Sequence, residues 1–326
     1  MSTIEKAASR LAARQKSNGE SAPGVERARQ ANRTGRMTAA ERPPQGIAGV
    51  APTPTRFCEI NLDDVRERGF LLPDSGRNQL AQEMRRIKRP LLLNIRKAQA
   101  MAESVPTDAG LAAPQADPPA NLIMITSALP GEGKTFTAIN LAMSMAAEVD
   151  RRVLLVDADV ARNDVSRQLG IPPSRGLCDL IQESNHLFED AVLTSNVERL
   201  SILPAGSFNE QVDELFASEI MGTVTRALAE ADPNRVVIFD ASPLLATTEA
   251  AVLARHMGQT VVVVEAGKTP QDAVAQAIGH LEGCRNVSLV LNKTSGRDIG
   301  GYSYGYGYGY GADGVSERET RQADAR

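Results

Sequence analysis

The chain has 326 residues, of which 42% are hydrophobic, and a formal net charge of −4 at pH 7. This length and composition allow one large or two small domains with a real hydrophobic core. The small negative charge gives no reason to expect a nucleic acid partner, and no apolar run approaches the roughly 18–20 residues needed to cross a bilayer. The N-terminus lacks the basic-then-apolar order of a signal peptide, so a cytoplasmic protein is expected.

The beginning of the chain has a strongly biased composition. Residues 1–56 contain ten Lys or Arg, four acidic residues and no aromatic residue. Such a stretch cannot bury enough apolar surface to fold, so we predict a disordered basic arm. The arm is either a solvated tether or a surface for anionic lipid.

A helical segment is predicted over residues 57–105. Apolar side chains recur there at helical spacing, at Leu80, Met84, Ile87, Leu91 and Ile95. Pro90 interrupts this pattern and is predicted to kink or break the helix, because it lacks a backbone N–H. Prolines among small and acidic residues make residues 106–119 a predicted linker.

From residue 120 onward, short unbroken apolar runs alternate with helical patterns. The runs cover residues 122–125, 153–156, 200–203, 236–239, 261–264 and 287–291. Helical patterns lie between them, for example over residues 137–149 and 214–230. Apolar strands that alternate with helices are typical of a parallel sheet covered on both faces. We therefore predict a doubly wound α/β domain over residues 120–298.

A glycine-rich loop lies between the first of these runs and the helix that follows. Residues 127–135 read Ser-Ala-Leu-Pro-Gly-Glu-Gly-Lys-Thr, a Walker A loop with Ala128 at the position of the usual first glycine. In such a loop backbone N–H groups surround the β- and γ-phosphates, Lys134 adds a positive charge and the Thr135 hydroxyl can ligate Mg²⁺. The loop thus predicts the ATP and Mg²⁺ site of a P-loop NTPase, rather than a glycine-rich turn without nucleotide. The predicted nucleotide-binding residues are Pro130, Gly131, Glu132, Gly133, Lys134, Thr135 and Phe136.

Carboxylates follow two other predicted strands. Asp157 and Asp159 come at the end of the second run, and Asp240 follows the fourth. Because ligands of an open parallel sheet bind at the carboxyl ends of its strands, these aspartates are expected to converge on the glycine-rich loop. Asp240 is the natural Walker B residue, holding Mg²⁺ directly or through water. The alternative for each aspartate is helix capping.

All five tyrosines of the chain lie within nine residues near its C-terminus. They alternate with Gly or Ser, at Tyr302, Tyr304, Tyr306, Tyr308 and Tyr310. This pattern cannot bury a hydrophobic face, so residues 299–326 are predicted to form a flexible tail. By itself such a tail is either a low-complexity adhesive segment or a set of phosphate acceptors. An ATP site in the same chain favours acceptors and predicts a kinase that modifies its own tail.

Together these motifs resemble the bacterial tyrosine autokinases of capsule and exopolysaccharide synthesis, in the stand-alone form associated with exosortase-type loci. The likeness covers roughly residues 57–310. The resemblance rests on the loop at residues 130–135, the Asp157-Ala158-Asp159 motif, the strand that ends at Asp240 and the tyrosine cluster. The resemblance implies an ATP-dependent protein-tyrosine kinase that phosphorylates its own tail in trans and regulates exopolysaccharide polymerisation and export.

A further match to this family lies in the predicted helix. Glu83, Arg86 and Arg89 fit its Glu-x-x-Arg-x-x-Arg motif, which implies ring-like self-association through this helix. At this spacing the three side chains lie near one face. The alternative is an ordinary solvated charged face with internal ion pairs.

The resemblance also implies roles for individual residues and partners. Lys134 and Thr135 would bind phosphates and Mg²⁺, Asp157 and Asp240 would help to hold the metal, and Asp159 would orient or deprotonate the incoming tyrosine. Asn292 matches the position that reads adenine in related P-loop ATPases. The expected partners are further copies of the chain, a membrane polysaccharide co-polymerase or chain-length determinant, and a cognate tyrosine phosphatase. The co-polymerase would bring the protein to the inner membrane.

One departure from the family keeps other functions open. Ala161 stands where a basic residue is usual, and Arg162 is the candidate to replace it. A non-catalytic ATP-binding scaffold of the export complex is therefore one alternative. The other is a switch ATPase of the division-site or partitioning type, although such proteins usually carry a signature lysine where this chain has Leu129, and they lack a tyrosine tail.

Overall fold

The computed structural model of the chain describes residues 56–76, 78–104, 117–182, 190–207 and 212–294. The predicted arm except its last residue, Arg56, most of the predicted linker and the whole predicted tail lie outside these residues. The five tyrosines therefore have no structural description. Within the described residues, no helix is long and apolar enough to cross a membrane.

An eight-stranded sheet forms the centre of the fold. Its strands are β1 Arg56–Cys58, β2 Leu122–Ser127, β3 Arg152–Ala158, β4 Leu193–Ser195, β5 Leu200–Leu203, β6 Arg235–Ala241, β7 Gln259–Glu265 and β8 Val287–Asn292. They lie in the order β1-β4-β5-β3-β6-β2-β7-β8, and within the described residues only β4 and β5 pair antiparallel. Each of the six predicted strands is present, and the prediction of a doubly wound, mostly parallel sheet is confirmed.

Helices cover both faces of this sheet. They are α1 Leu62–Glu67, α2 Gln79–Ser104, α3 Lys134–Ala146, α4 Asp164–Leu169, α5 Leu177–Gln182, α6 Val212–Ala217, α7 Glu219–Glu230, α8 Glu249–Ala254 and α9 Gln271–Gly279. Alternate residues of β2 face opposite ways: Ile123 and Ile125 belong to one hydrophobic cluster, and Leu122 and Met124 to another. The central strands are unbroken apolar runs because both of their faces are buried.

Helix α2 is the main difference from the sequence prediction. It runs without a break through Pro90, which lies on the exposed side. A proline removes one hydrogen bond from a helix, but packing on both sides of it can compensate. Here Met84, Leu91 and Ile95 are buried in the same cluster as α3. The prediction of a break at Pro90 was therefore wrong.

Three smaller differences have local causes. The helical pattern over residues 214–230 is divided into α6 and α7, because Ser218 has an extended backbone with φ −76° and ψ 155°. Strands β1 and β4 were not predicted, since three residues are too few to establish a pattern. Strand β1 nevertheless extends the sheet by pairing with β4.

Candidate active site

The glycine-rich loop connects β2 to α3, at the carboxyl edge of the sheet. Gly131 and Gly133 have φ of 86° and 97°, a region that L side chains rarely adopt. A Cβ atom on Gly133 would lie 2.1 Å from the Asn292 Nδ2 atom. That Asn292 amide donates a hydrogen bond to the Glu132 carbonyl, with a length of 2.8 Å. Asn292 thus lies against the loop, and its adenine-reading role stays a prediction.

The Glu132 carboxylate stabilises the loop from within. Its Oε2 accepts a hydrogen bond of 2.6 Å from the Leu129 backbone N–H, and its Oε1 accepts one from the Thr269 hydroxyl. The Lys293 ammonium donates to the Gly131 carbonyl at 2.7 Å. Sequence reasoning placed Glu132 among the nucleotide-binding residues but missed Thr269 and Lys293. In the sequence, only their position shortly after the last two predicted strands indicated that they lie near the loop.

Replacing Gly133 with Ala is expected to abolish nucleotide binding. The new methyl group would displace Asn292 and force an alanine into a left-handed conformation, which costs about 1–2 kcal/mol. The measurement is titration with a fluorescent ATP analogue, and Gly279→Ala is the control because Gly279 ends α9 in open space. Unchanged affinity of the Gly133 variant would show that the loop does not bind nucleotide.

Lys134, the first residue of α3, joins the loop to the acidic strand ends. Its ammonium lies 2.7 Å from the Asp159 Oδ2 atom and 3.5 Å from the Asp240 Oδ1 atom. The Thr135 hydroxyl donates a 2.6 Å hydrogen bond to the other oxygen of Asp240. Burial lowers the pKa of Lys134, but the carboxylates of Asp240 and Asp159 outweigh this effect and raise it above its usual value. Lys134 is therefore a charged, buried ion-pair partner.

Asp157 and Asp240 are neighbours on the paired strands β3 and β6. Burial and the charge of Asp240 raise the pKa of Asp157 to about 8. Burial also raises the pKa of Asp240 to about 6, although Lys134 and the Thr135 hydroxyl oppose the rise. One oxygen of Asp157 accepts a 3.1 Å hydrogen bond from the Val165 N–H at the start of α4. The predicted alternative, helix capping, is thus present for one oxygen of this carboxylate.

The acidic groups fit a divalent cation. Asp157 Oδ1 is buried and has no hydrogen-bond partner among the described residues. Two other buried carboxylate oxygens, Asp159 Oδ2 and Asp240 Oδ1, face the Lys134 ammonium at 2.7 Å and 3.5 Å. No group of three or more His, Cys, Asp or Glu forms a ready-made metal cage in the described part of the chain. Mg²⁺ does not need one, because it usually takes one or two carboxylates together with phosphate and water.

Ser242 positions Asp159. The Ser242 hydroxyl donates a 3.0 Å hydrogen bond to Asp159 Oδ1, and the Ser242 carbonyl accepts one of 2.7 Å from the Thr126 hydroxyl. This serine therefore ties the ends of β2, β3 and β6 together. It was not predicted as a site residue, although it stands two positions after Asp240. Arg162 is exposed, and its side chain has no hydrogen bond or ion pair with a described residue.

The remaining predicted residues lie outside this cluster. Phe136 packs against Phe70, with ring centroids 5.2 Å apart. Glu83, Arg86 and Arg89 are exposed on α2. The tyrosines lie outside the described residues.

A strand, a glycine-rich loop, a helix that begins with Lys-Thr, and acidic ends on the adjacent strands define a P-loop NTPase. Residues 120–285 match the AAA domain family (AAA_31). Tyrosine-protein kinase YwqD of Bacillus subtilis (strain 168) is 35% identical over 165 residues, which are 50% of this chain and 68% of YwqD. The chain belongs to the bacterial tyrosine-protein kinases, a family of P-loop enzymes.

Longer relatives and a solved structure extend the comparison. The succinoglycan biosynthesis transport protein ExoP of Rhizobium meliloti (strain 1021) is 32% identical over 189 residues, which are 56% of this chain but 23% of ExoP. The crystal structure of the chimerical protein CapA2B2 matches with a TM-score of 0.54 and 23% identity, over 71% of this chain and 98% of that one. At this identity the match supports the fold alone.

Proposed function

We propose that this protein is an ATP-dependent tyrosine autokinase that phosphorylates its own C-terminal tyrosines in trans and thereby regulates exopolysaccharide polymerisation and export. The observation that carries the proposal is the buried cluster of Lys134, Asp159 and Asp240 beside the glycine-rich loop. Membership of the tyrosine kinase family and the five-tyrosine tail support it. The similarity to ExoP, a biosynthesis transport protein by name, supports the link to polysaccharide.

The chemistry is transfer of the γ-phosphoryl group of ATP to a tail hydroxyl. The Tyr O–P bond forms while the bond between the γ-phosphorus and the bridging oxygen of ADP breaks. Asp159 takes the proton of the hydroxyl, and Ser242 keeps its carboxylate in place. The Lys134 ammonium and the N–H groups of the loop stabilise the charge on the phosphates.

ATP binding would change the contacts of Lys134. In the structure its ammonium lies against Asp159 and Asp240, so both carboxylates are compensated internally. The incoming phosphates compete for the same ammonium, and a lysine that turns toward them leaves Asp159 free to accept a proton. Mg²⁺, when bound by Thr135, Asp157 and Asp240, would supply the positive charge that these carboxylates and the phosphates need.

Phosphorylation in trans requires neighbouring copies. We propose that Glu83, Arg86 and Arg89 join them into a ring. Two observations support this proposal. The three side chains are exposed, and neither Arg86 nor Arg89 forms an ion pair with a described residue. A tail held beside a neighbour's site is at high effective concentration. A membrane co-polymerase would bring the ring to the inner membrane, and a tyrosine phosphatase would reverse the reaction.

Replacing Glu83, Arg86 and Arg89 together with Ala is expected to convert the ring into monomers and to reduce tail phosphorylation. None of the three has a hydrogen bond or ion pair with Lys134, Asp159 or Asp240, although Glu83 and Arg86 line a groove with Phe136 and Asn292. ATP binding should therefore be retained. Light scattering measures the assembly, and a nucleotide titration provides the control. Monomers that phosphorylate at the wild-type rate would show that the reaction does not need the ring.

The direct test of the proposed function is replacement of all five tyrosines with Phe. This change removes only the hydroxyls, so we expect ATP binding to persist and phosphate incorporation to disappear. Phosphopeptide mapping after incubation with Mg-ATP measures incorporation. A wild-type chain that binds ATP without incorporating phosphate would support the scaffold. Steady ADP release without incorporation would support the switch ATPase.

A further inference from the structure

A row of arginines lies along one side of α2, outside the active site. Arg85, Arg89 and Arg96 are separated by four and seven residues, which places them on the same side of a helix. We call them the arginine row. They line a groove of about 470 Å³ together with Leu92 and Leu93, and the Leu93 side chain is 51% exposed. The groove therefore offers both charge and apolar contact.

The charge of this row is poorly compensated. Arg85 and Arg89 have no hydrogen bond or ion pair with any residue that the structure describes. Arg96 lies 3.8 Å from the Asp150 carboxylate, and both side chains are more than 60% exposed, so the pair is weak. Lys88 behaves differently, since it is buried and its ammonium contacts the Glu148 carboxylate at 2.5 Å and the Ser144 carbonyl at 2.7 Å. Three guanidinium groups are therefore available to an anionic ligand.

We propose that the arginine row is the docking site for the chain's own tail after its tyrosines have been phosphorylated. This inference rests on the proposed function, because it requires phosphotyrosine. A guanidinium group binds phosphate through two parallel hydrogen bonds, and each phosphate adds about −1.5 to −2 charges. Residues 299–310 contain no charged residue, so they gain affinity for the row only when phosphate is added.

The lengths of the two segments agree with this pairing. The arginine row extends over twelve residues of helix, so its two ends are about 16 Å apart. Alternate residues of an extended chain are about 7 Å apart, so three successive tail tyrosines span about 13 Å. Phosphates at this spacing can contact two or three of the arginines at once.

The last residue described before the tail, Thr294, lies beside α2, on a different side of the helix from the arginine row. Thr294 lines the groove between α2 and β8 together with Arg86, which lies within four residues of Arg85 and Arg89. Tyr302 is eight residues after Thr294, and eight residue steps can span up to about 26–29 Å. That distance exceeds the width of a helix, about 10–12 Å, so the phosphorylated tail can reach the row of its own chain.

This docking would couple phosphorylation to assembly. Arg89 belongs both to the arginine row and to the motif proposed to join neighbouring copies. A phosphorylated tail that binds Arg89 would compete with the neighbour for it. Phosphorylation would then open the ring through occupation of a specific site.

An anionic membrane is the other ligand that could bind a basic surface. The shape and surroundings of this surface favour the tail. The row lines a groove whose edge includes Glu148, and Asp150 lies beside Arg96. These carboxylates would face a continuous anionic surface, whereas separate phosphates can lie between them. A tail in the same chain also has the advantage of high effective concentration.

The test is binding of a synthetic peptide of residues 299–313, phosphorylated at all five tyrosines, to the full chain with its own five tyrosines replaced by Phe. Fluorescence anisotropy should detect the phosphopeptide but not the unphosphorylated peptide. Arg85→Gln with Arg96→Gln should weaken binding by about tenfold or more, because two charge-assisted contacts are lost. The matched control, Arg66→Gln with Arg68→Gln, removes the same charge from the C-terminal end of α1, where both arginines are exposed.

The possible outcomes separate the alternatives. Equal affinity for the phosphorylated and unphosphorylated peptides would overturn the proposal. Unchanged phosphopeptide affinity in the Arg85/Arg96 variant would overturn it too, and would show that the phosphopeptide binds elsewhere, for example in the active site as product. The proposal would also be overturned if the Arg85/Arg96 variant lost binding to phosphatidylserine vesicles but not to the phosphopeptide. The arginine row would then be a membrane-binding surface. Because the phosphates are synthetic, peptide binding is measured whether or not the chain makes phosphotyrosine. Failure of the proposed function appears separately, as a wild-type tail that remains unphosphorylated.

Discussion

Replacing Lys134 with Met should lower tail phosphorylation by about 10²–10³-fold, the usual effect of removing one group that stabilises transition-state charge. Methionine nearly preserves the size of the side chain but removes its charge. Phosphate incorporation under Mg-ATP measures the effect. The control is Lys97→Met, which changes an exposed lysine of α2 in the same way.

The Lys134 variant should also be less stable in the absence of nucleotide. The lysine is buried against Asp159 and Asp240, and breaking a buried ion pair costs up to about 3–5 kcal/mol. Lys134 also opposes the rise in the pKa of Asp240. Without Lys134 the Asp240 carboxyl will take up a proton more readily, and this limits the loss of stability. Thermal unfolding followed by circular dichroism measures this change. If the variant is folded and still phosphorylates its tail at the wild-type rate, Lys134 is not part of the active site.

Asp159→Asn should reduce the turnover number by about 10²–10⁴-fold, as expected for loss of a general base. The change keeps the shape of the side chain and the possibility of a hydrogen bond with Ser242. ATP affinity should stay the same or increase, since Lys134 is no longer held by this carboxylate. Turnover and nucleotide affinity must therefore be measured separately.

The matched control for Asp159 is Asp272→Asn, an exposed position in the first turn of α9. A second comparison is Ser242→Ala, which leaves Asp159 ionisable but less well positioned and should slow turnover by roughly tenfold. If Asp159→Asn turns over at the wild-type rate, another group accepts the tyrosine proton. If the Asp159→Asn variant loses ATP binding instead, Asp159 is needed to bind nucleotide and its role as the base for the tyrosine hydroxyl is not supported.

The sheet and the position of the site could be predicted because they depend on local signals. Strands buried on both faces are short apolar runs, and β2, β3 and β6 carry such runs followed directly by the loop or by an aspartate. The topology of a parallel sheet then requires these ends to meet. The predicted convergence of Asp157, Asp159 and Asp240 on the loop follows from that rule.

The internal contacts of the site could not be predicted, because they depend on which side chains meet in space. No pattern indicates that Glu132 turns into its own loop toward Thr269, 137 positions away. The hydrogen bond from Ser242 to Asp159 joins residues 83 positions apart. Helix α2 passes Pro90 unbroken for the same reason, since its buried neighbours belong to a distant part of the chain.

The most direct measurement of the central claim is the intact mass of the full chain after incubation with Mg-ATP and the cytoplasmic segment of its membrane partner. The proposed function predicts up to five added phosphates, all on the peptide that contains Tyr302, Tyr304, Tyr306, Tyr308 and Tyr310. The Lys134→Met chain should show no detectable mass increase under the same conditions, because its phosphorylation is expected to be about 10²–10³-fold slower. An unchanged mass for the wild-type chain with ATP bound, or phosphates on serine and threonine elsewhere at a comparable rate, would contradict the tyrosine autokinase account.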